Sequence, residues 1–295
     1  MNQEIPPPKR ALLLVNRHSR QGQKRLYQAI EQLQKLGLEL VEGFTQNPKQ
    51  LPDVIRRHQH QVDLVIIGGG DGTLNAAIEG LVDTQLPLGI LPLGTANDLA
   101  RTLKIPPSLP DACKIIATGK VHRIDLGWVN GNYFFNVASL GLSVQITERL
   151  TKEAKSRWGV FAYAITATKV ILQARPFRAE LRLNGESMRV RTIQIAIGNG
   201  RHYGGGMTVA HDATIDDQRL DLYSLETQHW WQILGLLPTL WNGRHTPEQG
   251  IRVLHATEIE VYTRKPRAIN TDGEITTWTP AQFRVIPKVL PVLVP

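Results

Sequence analysis

The sequence predicts an α/β N-terminal domain built on a parallel sheet, followed by a mostly antiparallel β-sandwich domain. Three observations predict it. Short apolar runs at Ala11–Val15, Leu64–Ile67 and Pro87–Leu91 each precede a stretch of helical periodicity, the pattern of repeated strand–helix units. From Val121 onward the apolar spacing changes from helical to strictly alternating. Asn130-Gly131 and Asn184-Gly185 then supply the residue pair favoured in two-residue hairpin turns. The boundary is expected near residue 123, giving domains 1–123 and 124–283.

In chain order, the strand at Ala11–Val15 leads into a helix with Leu26, Ile30 and Leu33 on one face and Gly37 just past its end. Leu38–Phe44 reads as a second strand, and about Lys49 to His60 as a second helix. There Arg56, Arg57, His58 and His60 form a solvated basic face; His58 and His60 do not share a helix face and lack a third metal ligand. Leu64–Ile67 and Pro87–Leu91 are further strands, and a last helix runs to about Gly119. Beyond the boundary, strands are expected at Ile124–Val129, Tyr133–Val137, Ala179–Leu183, Met188–Ile197, Leu220–Leu225, Glu258–Thr263 and Gln282–Ile286. Two inserts interrupt them, Gln145–Leu172 around Trp158 and the tryptophan-rich Trp230–Trp241. Both compositions suit either core packing or a lipid headgroup boundary.

At 295 residues the chain can bury two cores, and 42% hydrophobic with 20% charged residues excludes a disordered chain. A net charge of +8 suits an anionic partner such as a nucleotide or an acidic membrane surface. Cys113 is the only cysteine, so neither an intrachain disulfide nor a cysteine metal cluster can form, and a reducing cytoplasmic setting is expected. Met1–Arg10 lacks the apolar core of a signal peptide, and no run reaches the roughly 20 apolar residues of a spanning helix. Lipid would be met from the surface.

The chemistry centres on Gly68-Gly69-Gly70-Asp71-Gly72-Thr73-Leu74-Asn75, directly after the Leu64–Ile67 strand. A strand, a glycine-rich turn and a helix start form an anion site, because backbone N–H groups can close on phosphate oxygens and the helix dipole favours negative charge. Thr73 or Asp71 is expected to cap that helix. A dinucleotide-binding fingerprint would need glycine where Thr73 stands, and Gly89–Thr95 has the glycine spacing of a P-loop without its lysine.

Gly69-Gly70-Asp71-Gly72-Thr73, followed about twenty residues later by Pro92-Leu93-Gly94-Thr95-Ala96-Asn97-Asp98-Leu99-Ala100, resembles the diacylglycerol kinase-like lipid kinases of bacteria. NAD kinases are similar at the first motif only. Asp125-Leu126-Gly127, Phe135-Asn136, Gly198-Asn199-Gly200 and Asp272-Gly273-Glu274 extend the resemblance through the chain. It implies a fold like that of NAD kinase and phosphofructokinase in the first domain, with residues 284–295 returning to it. It also implies ATP and Mg²⁺ as cofactors and a lipid acceptor, diacylglycerol first, then phosphatidylglycerol or a long-chain base. The nucleotide would meet Asn16, Thr45, Gly69, Gly70, Asp71, Gly72, Thr73, Leu74, Asn75, Gly94, Thr95, Asn97 and Asp98. The metal falls to the Asp217 side chain with the backbone carbonyls of Thr214 and Arg219. Glu274 is implied as the proton acceptor, with Asp272 holding the hydroxyl or a metal-bound water; Asp71 stands as rival base or indirect metal partner.

The chain departs from the family at Arg17, where proline is usual, and at Gln218, where glycine is usual and a left-handed φ is expected. These departures keep a catalytically silent, nucleotide-binding membrane regulator among the readings, beside a soluble NAD kinase. A peripheral protein on the cytoplasmic face of a membrane is expected; no nucleic-acid partner is, and a homodimer stays open.

Overall fold

The structure is a computed structural model. It describes residues 10–15, 20–43, 47–149, 172–200, 202–203, 207–208, 214–226 and 250–295. The chain divides into two compact units, the first running to Leu126 and including Pro287–Pro295, the second formed by most of the residues between.

The first unit is a parallel sheet of β1 (Arg10–Val15), β2 (Glu39–Gly43), β3 (Leu64–Gly69) and β4 (Leu88–Pro92), in the order β2-β1-β3-β4. All six residues of β3 and all five of β4 are buried, as apolar runs in a sheet covered on both faces must be. The helices between them are α1 (Arg20–Lys35), α2 (Leu51–His58) and α3 (Asp71–Thr84), followed by α4 (Asp98–Thr102) and α5 (Leu109–Thr118). Leu26 and Leu33 of α1 are buried, and Gly37 past its end has φ +91°, a value that suits glycine. His58 turns its Nδ1 to the Val54 carbonyl of its own helix at 2.8 Å. Gly80 in α3 lets α2 approach, since a Cβ there would lie 2.7 Å from Pro52 Cα.

The second unit takes in the end of β5 (Lys120–Val129), then β6 (Asn132–Phe134), β7 (Val137–Gly141), α6 (Leu142–Arg149), β8 (Phe177–Leu183), β9 (Glu186–Thr192) and β10 (Gln194–Gly198). After the short β11 (His202–Tyr203) and β12 (Met207–Thr208) come β13 (Leu220–Leu225), β14 (Ile251–Ala256), β15 (Glu258–Thr263), β16 (Ala268–Thr271), β17 (Glu274–Trp278) and the start of β18 (Ala281–Val294). One sheet has the antiparallel order β14-β13-β10-β7-β16-β17; β18, β15, β8 and β9 pair antiparallel in another. Phe134, Leu140, Leu181, Ile195, Ile197, Leu222, Val261 and Phe283 pack in one core drawn from both sheets, which makes the unit a sandwich. Both Asn-Gly turns carry left-handed φ at both residues: +46° and +94° at Asn130-Gly131, +52° and +79° at Asn184-Gly185.

Two runs expected as single strands are each divided between sheets. Tyr133–Val137 breaks at Phe135-Asn136, so that β6 and β7 lie in different sheets. Met188–Ile197 breaks at Ile193, where Thr192 Oγ1 donates to the Gln194 and Leu225 carbonyls at 2.8 and 2.9 Å. Alternation of apolar residues continues through both breaks because both strands face one core. Only side-chain hydrogen bonds to the backbone mark the corners.

The last strand reaches the first unit. Val292 of β18 pairs parallel with Leu88 of β4.

Candidate functional site

The glycine loop follows directly from buried β3. Gly70 is extended (φ −102°, ψ −174°) and α3 begins at the next residue, Asp71. The cap is therefore Gly70 itself: no side chain closes the end, and neither Thr73 nor Asp71 fills the expected capping role. The Gly70 carbonyl accepts from Thr73 N at 2.9 Å and Leu74 N at 3.2 Å. The N–H groups of Asp71 and Gly72 belong to the first turn, where a helix offers no acceptor. Among the described residues, a Cβ on Gly72 would meet no heavy atom within 4 Å, so the helix start is open on the side that a side chain there would face. Anionic oxygen fits there by hydrogen bonding and by the helix dipole.

The second motif closes against the first. A Cβ on Gly94 would lie 2.4 Å from Gly70 Cα, and Leu93 N donates to the Gly69 carbonyl at 3.0 Å. Asn97, at φ +51°, holds the turn by accepting from Gly94 N at 2.9 Å and donating to the Gly94 carbonyl at 3.0 Å. Asp71 Oδ1 accepts from Leu99 N at 3.1 Å, so the carboxylate of the first motif caps the start of α4 in the second. Among the described residues Asn75 Oδ1 is buried without a hydrogen-bond partner, which leaves a polar atom for a ligand. Thr95 is exposed, and Asp98 is buried. Leu74 is buried at 2% exposure, so only its backbone is available to a nucleotide. Gly69 serves packing, since a Cβ there would come within 2.7 Å of the Thr73 side chain. Asn16, Arg17 and Thr45 lie outside the described residues, as do Trp158 and Trp230–Trp241.

In the second unit, Asp272 and Gly273 form the left-handed turn (φ +48° and +99°) between β16 and β17. The Asp272 carboxylate accepts three consecutive backbone N–H groups: Phe135 at 2.6 Å, Asn136 at 3.0 Å and Val137 at 3.0 Å. Its oxygens thus hold the corner between β6 and β7, which makes Asp272 a positioning residue for the turn that carries Glu274. Glu274 itself opens β17 and is exposed. Asn136, quoted from the sequence only as a landmark, is 3% exposed, and its Oδ1 has no hydrogen-bond partner among the described residues. That atom would lie 3.0 Å from a Cβ on Gly200, so glycine keeps the space before it clear.

The Asp217 loop is arranged differently. Its carboxylate accepts from Thr214 N at 3.2 Å and Arg219 N at 3.3 Å, and Gln218 between them has φ +60°, the left-handed position expected there. Arg219 Nε lies 3.3 Å from Asp217 Oδ2 and 3.3 Å from Asp221 Oδ1, as an ion pair with both rather than an aligned hydrogen bond. His255 Nδ1 meets Asp221 Oδ1 as well. Burial pushes the Asp221 carboxyl above the usual range, against the opposing pull of His255 and Arg219. Among the described residues no three His, Cys, Asp or Glu side chains gather to hold a metal ion. Each Asp217 oxygen accepts a single N–H and keeps a second lone pair, so the carboxylate retains the capacity to meet a cation.

The family model for the diacylglycerol kinase catalytic domain matches residues 10–129, and that for the YegS C-terminal NAD kinase beta sandwich-like domain matches residues 136–294. The chain belongs to the diacylglycerol kinase-like lipid kinase family. Among the relatives of this lipid kinase is "Probable lipid kinase YegS-like" of Enterobacter sp. (strain 638), 31% identical over 290 residues that cover 95% of this chain and 94% of that one. The diacylglycerol kinase of Bacillus subtilis (strain 168) is 27% identical over 293 residues, 97% of each chain. A crystal structure of a diacylglycerol kinase from Bacillus anthracis str. Sterne has a TM-score of 0.77 at 21% identity, covering 98% of this chain and 97% of that one. Yeast NADH kinase complexed with NADH has a TM-score of 0.55 at 13% identity, covering 97% and 83%. At such identities the two structures establish the fold alone. As a kinase, this enzyme takes ATP as phosphoryl donor.

Proposed function

We propose that this lipid kinase moves the γ-phosphoryl group of ATP to the free hydroxyl of diacylglycerol, making phosphatidic acid. The observation that carries the reading is the closure of the two motifs, Gly70 against Gly94 with Asp71 bonded to Leu99, beside a start of α3 whose first-turn N–H groups have no helix acceptor and whose Gly72 faces open space among the described residues. Phosphoryl transfer asks the protein mainly to position phosphates and stabilise their charge, and this arrangement does so with backbone dipoles. Mg²⁺ enters with ATP, as part of the substrate. Glu274, exposed and held by the Asp272 turn, accepts the hydroxyl proton. The diacylglycerol assignment is supported by the name of the Bacillus subtilis relative, similar over nearly its whole length.

A lipid acceptor also requires contact with a membrane surface. No helix among the described residues is long and apolar enough to cross one. The net charge of +8 supports peripheral docking on anionic lipid, which should weaken as salt screens exposed charges beyond about 10 Å at 0.1 M.

Labelled phosphate transfer from ATP to diacylglycerol, phosphatidylglycerol, a long-chain base and NAD in mixed micelles tests the reading. Diacylglycerol should be the preferred acceptor. Preference for another lipid would overturn the substrate, transfer to NAD alone the class, and no transfer to any of them would leave the silent regulator.

A further inference from the structure

The turn that carries Glu274 is held from a second side, by Asn270. The register of the β16–β17 hairpin shifts between Ile269 and Asn270: Ile269 pairs with Thr277 and Asn270 with Ile275, so Thr276 has no cross-strand partner. A bulge of this kind re-aims the chain beyond it. Beyond it lies the Asp272-Gly273 turn, whose second residue has φ +99° and no Cβ to restrict it. A glycine directly before Glu274 is a joint that must be fixed if the carboxylate is to stay aimed.

Asn270 fixes that joint. The residue is 5% exposed, and its Oδ1 accepts from Gly273 N at 2.8 Å. Its Nδ2 donates to Thr147 Oγ1 of α6 at 3.4 Å, a long hydrogen bond. The Thr147 hydroxyl gives its own proton to the Ser143 carbonyl at 3.1 Å, so toward Asn270 it can only accept. The amide is thereby held in one orientation, oxygen toward the turn and nitrogen toward the helix. Thr271 Oγ1 donates to Thr276 Oγ1 at 3.1 Å and braces the bulge. Asp272 N donates to the Val137 carbonyl at 3.0 Å, so the N–H groups of both turn residues are taken.

We propose that Asn270 is a positioning residue for Glu274, acting through the Gly273 N–H, with Thr147 orienting its amide. Asp272 anchors the turn to the corner between β6 and β7, and Asn270 sets the last joint before the carboxylate. A 1 Å misplacement of a reacting group can cost about 10²-fold in rate; loss of one of two braces should cost about 10-fold. This role rests on Glu274 as the proton acceptor and is independent of which lipid is phosphorylated.

A double-mutant cycle on the full chain tests it: wild type, Asn270→Ala, Glu274→Gln and the double variant. Labelled phosphate transfer from ATP in mixed micelles gives kcat at saturating lipid, with whichever of diacylglycerol, phosphatidylglycerol and a long-chain base the wild type prefers. Asn270→Ala should lower kcat about 10-fold and leave ATP affinity by isothermal titration unchanged. With Glu274 already glutamine there is no base left to aim, so the double variant should match Glu274→Gln to within about 2-fold. A merely structural role would lower kcat by the same factor in both backgrounds. That additive outcome overturns the proposal, as does a wild-type kcat in Asn270→Ala. Wild-type activity in Glu274→Gln is a separate failure, which removes Glu274 as the base and this role with it. Thr147→Val keeps the shape of the helix residue and removes the acceptor; it should lower kcat about 3-fold, and only where Glu274 is present. If Asn270→Ala does not fold, the Thr147→Val cycle decides: an equal loss in both backgrounds, or none in either, overturns the proposal.

Discussion

Replacing Gly72 by valine separates nucleotide binding from folding. A Cβ at Gly72 meets nothing within 4 Å, and Gly72 is not among the glycines with left-handed φ, so valine fits the backbone without a clash. Exchange of glycine for valine in a helix changes intrinsic propensity by only a few tenths of a kcal/mol, in valine's favour. The Tm should therefore stay within about 2 °C of wild type. The valine methyls, however, would crowd a phosphate drawn up to the N–H groups of Asp71 and Gly72. Two charge-assisted hydrogen bonds to phosphate at about 1.5–3 kcal/mol each come to roughly 3–6 kcal/mol. ATP affinity should fall by about 10²–10⁴-fold.

Gly94→Ala is the contrast. Its Cβ would stand 2.4 Å from Gly70 Cα, backbone against backbone, so the two loops must separate. Overpacking of that kind costs about 1–3 kcal/mol, and both Tm and affinity should drop. Isothermal titration with ATP, beside thermal unfolding of each variant, reads both quantities. A folded Gly72→Val protein that binds ATP with wild-type affinity would show that the start of α3 is not the phosphate cradle.

Glu274→Gln keeps the size of the side chain and removes its capacity to take a proton; kcat at saturating lipid should fall by about 10²–10⁴-fold with ATP affinity nearly unchanged. Full activity there, with a selective kcat loss in Asp71→Asn, would move the base to Asp71. Asp272→Ala strands the N–H groups of Phe135, Asn136 and Val137 and should cost about 3 kcal/mol or more, visible as a Tm lower by roughly 6–12 °C. A Tm unchanged from wild type would show that the carboxylate does not anchor the corner. Burial pushes the Cys113 thiol from 9.0 up to about 11, so alkylation of the native protein at pH 8 should run about 100-fold slower than that of an unfolded chain; equal rates would refute the burial. Because the folded-state value is the higher one, the stability contributed by the neutral thiol is complete below pH 9 and lost as the pH rises through about 11. Comparison with Cys113→Ala across that window checks the sign.

Much of the glycine loop's geometry was legible because its conformation is local. An apolar run that ends in glycines must turn, and a turn into a helix start presents N–H groups whatever surrounds it. The Asn-Gly hairpins and the left-handed Gln218 were legible for the same reason, since φ preferences act within one or two residues. The strands of the sandwich were legible in their alternation, though not in their sheets. Residues on both sides of Asn136 and of Ile193 face one core, so the apolar pattern runs on while the chain changes sheet. β16 and β17 escaped it because their exposed and half-buried residues follow no clean alternation.

The sequence by itself determined the two-domain class, the family and the strand–glycine turn–helix of the first motif, each of which rests on neighbours along the chain. Only the tertiary structure decided what the acidic side chains do. Asp272 lies 135 residues or more from the N–H groups it accepts, and Asp71 lies 28 from Leu99. Asp221 lies 34 from His255. A carboxylate written in a sequence is an unassigned acceptor. Its work is set by the donors that folding brings within about 3 Å, and those come from distant strands whose pairing no local pattern specifies.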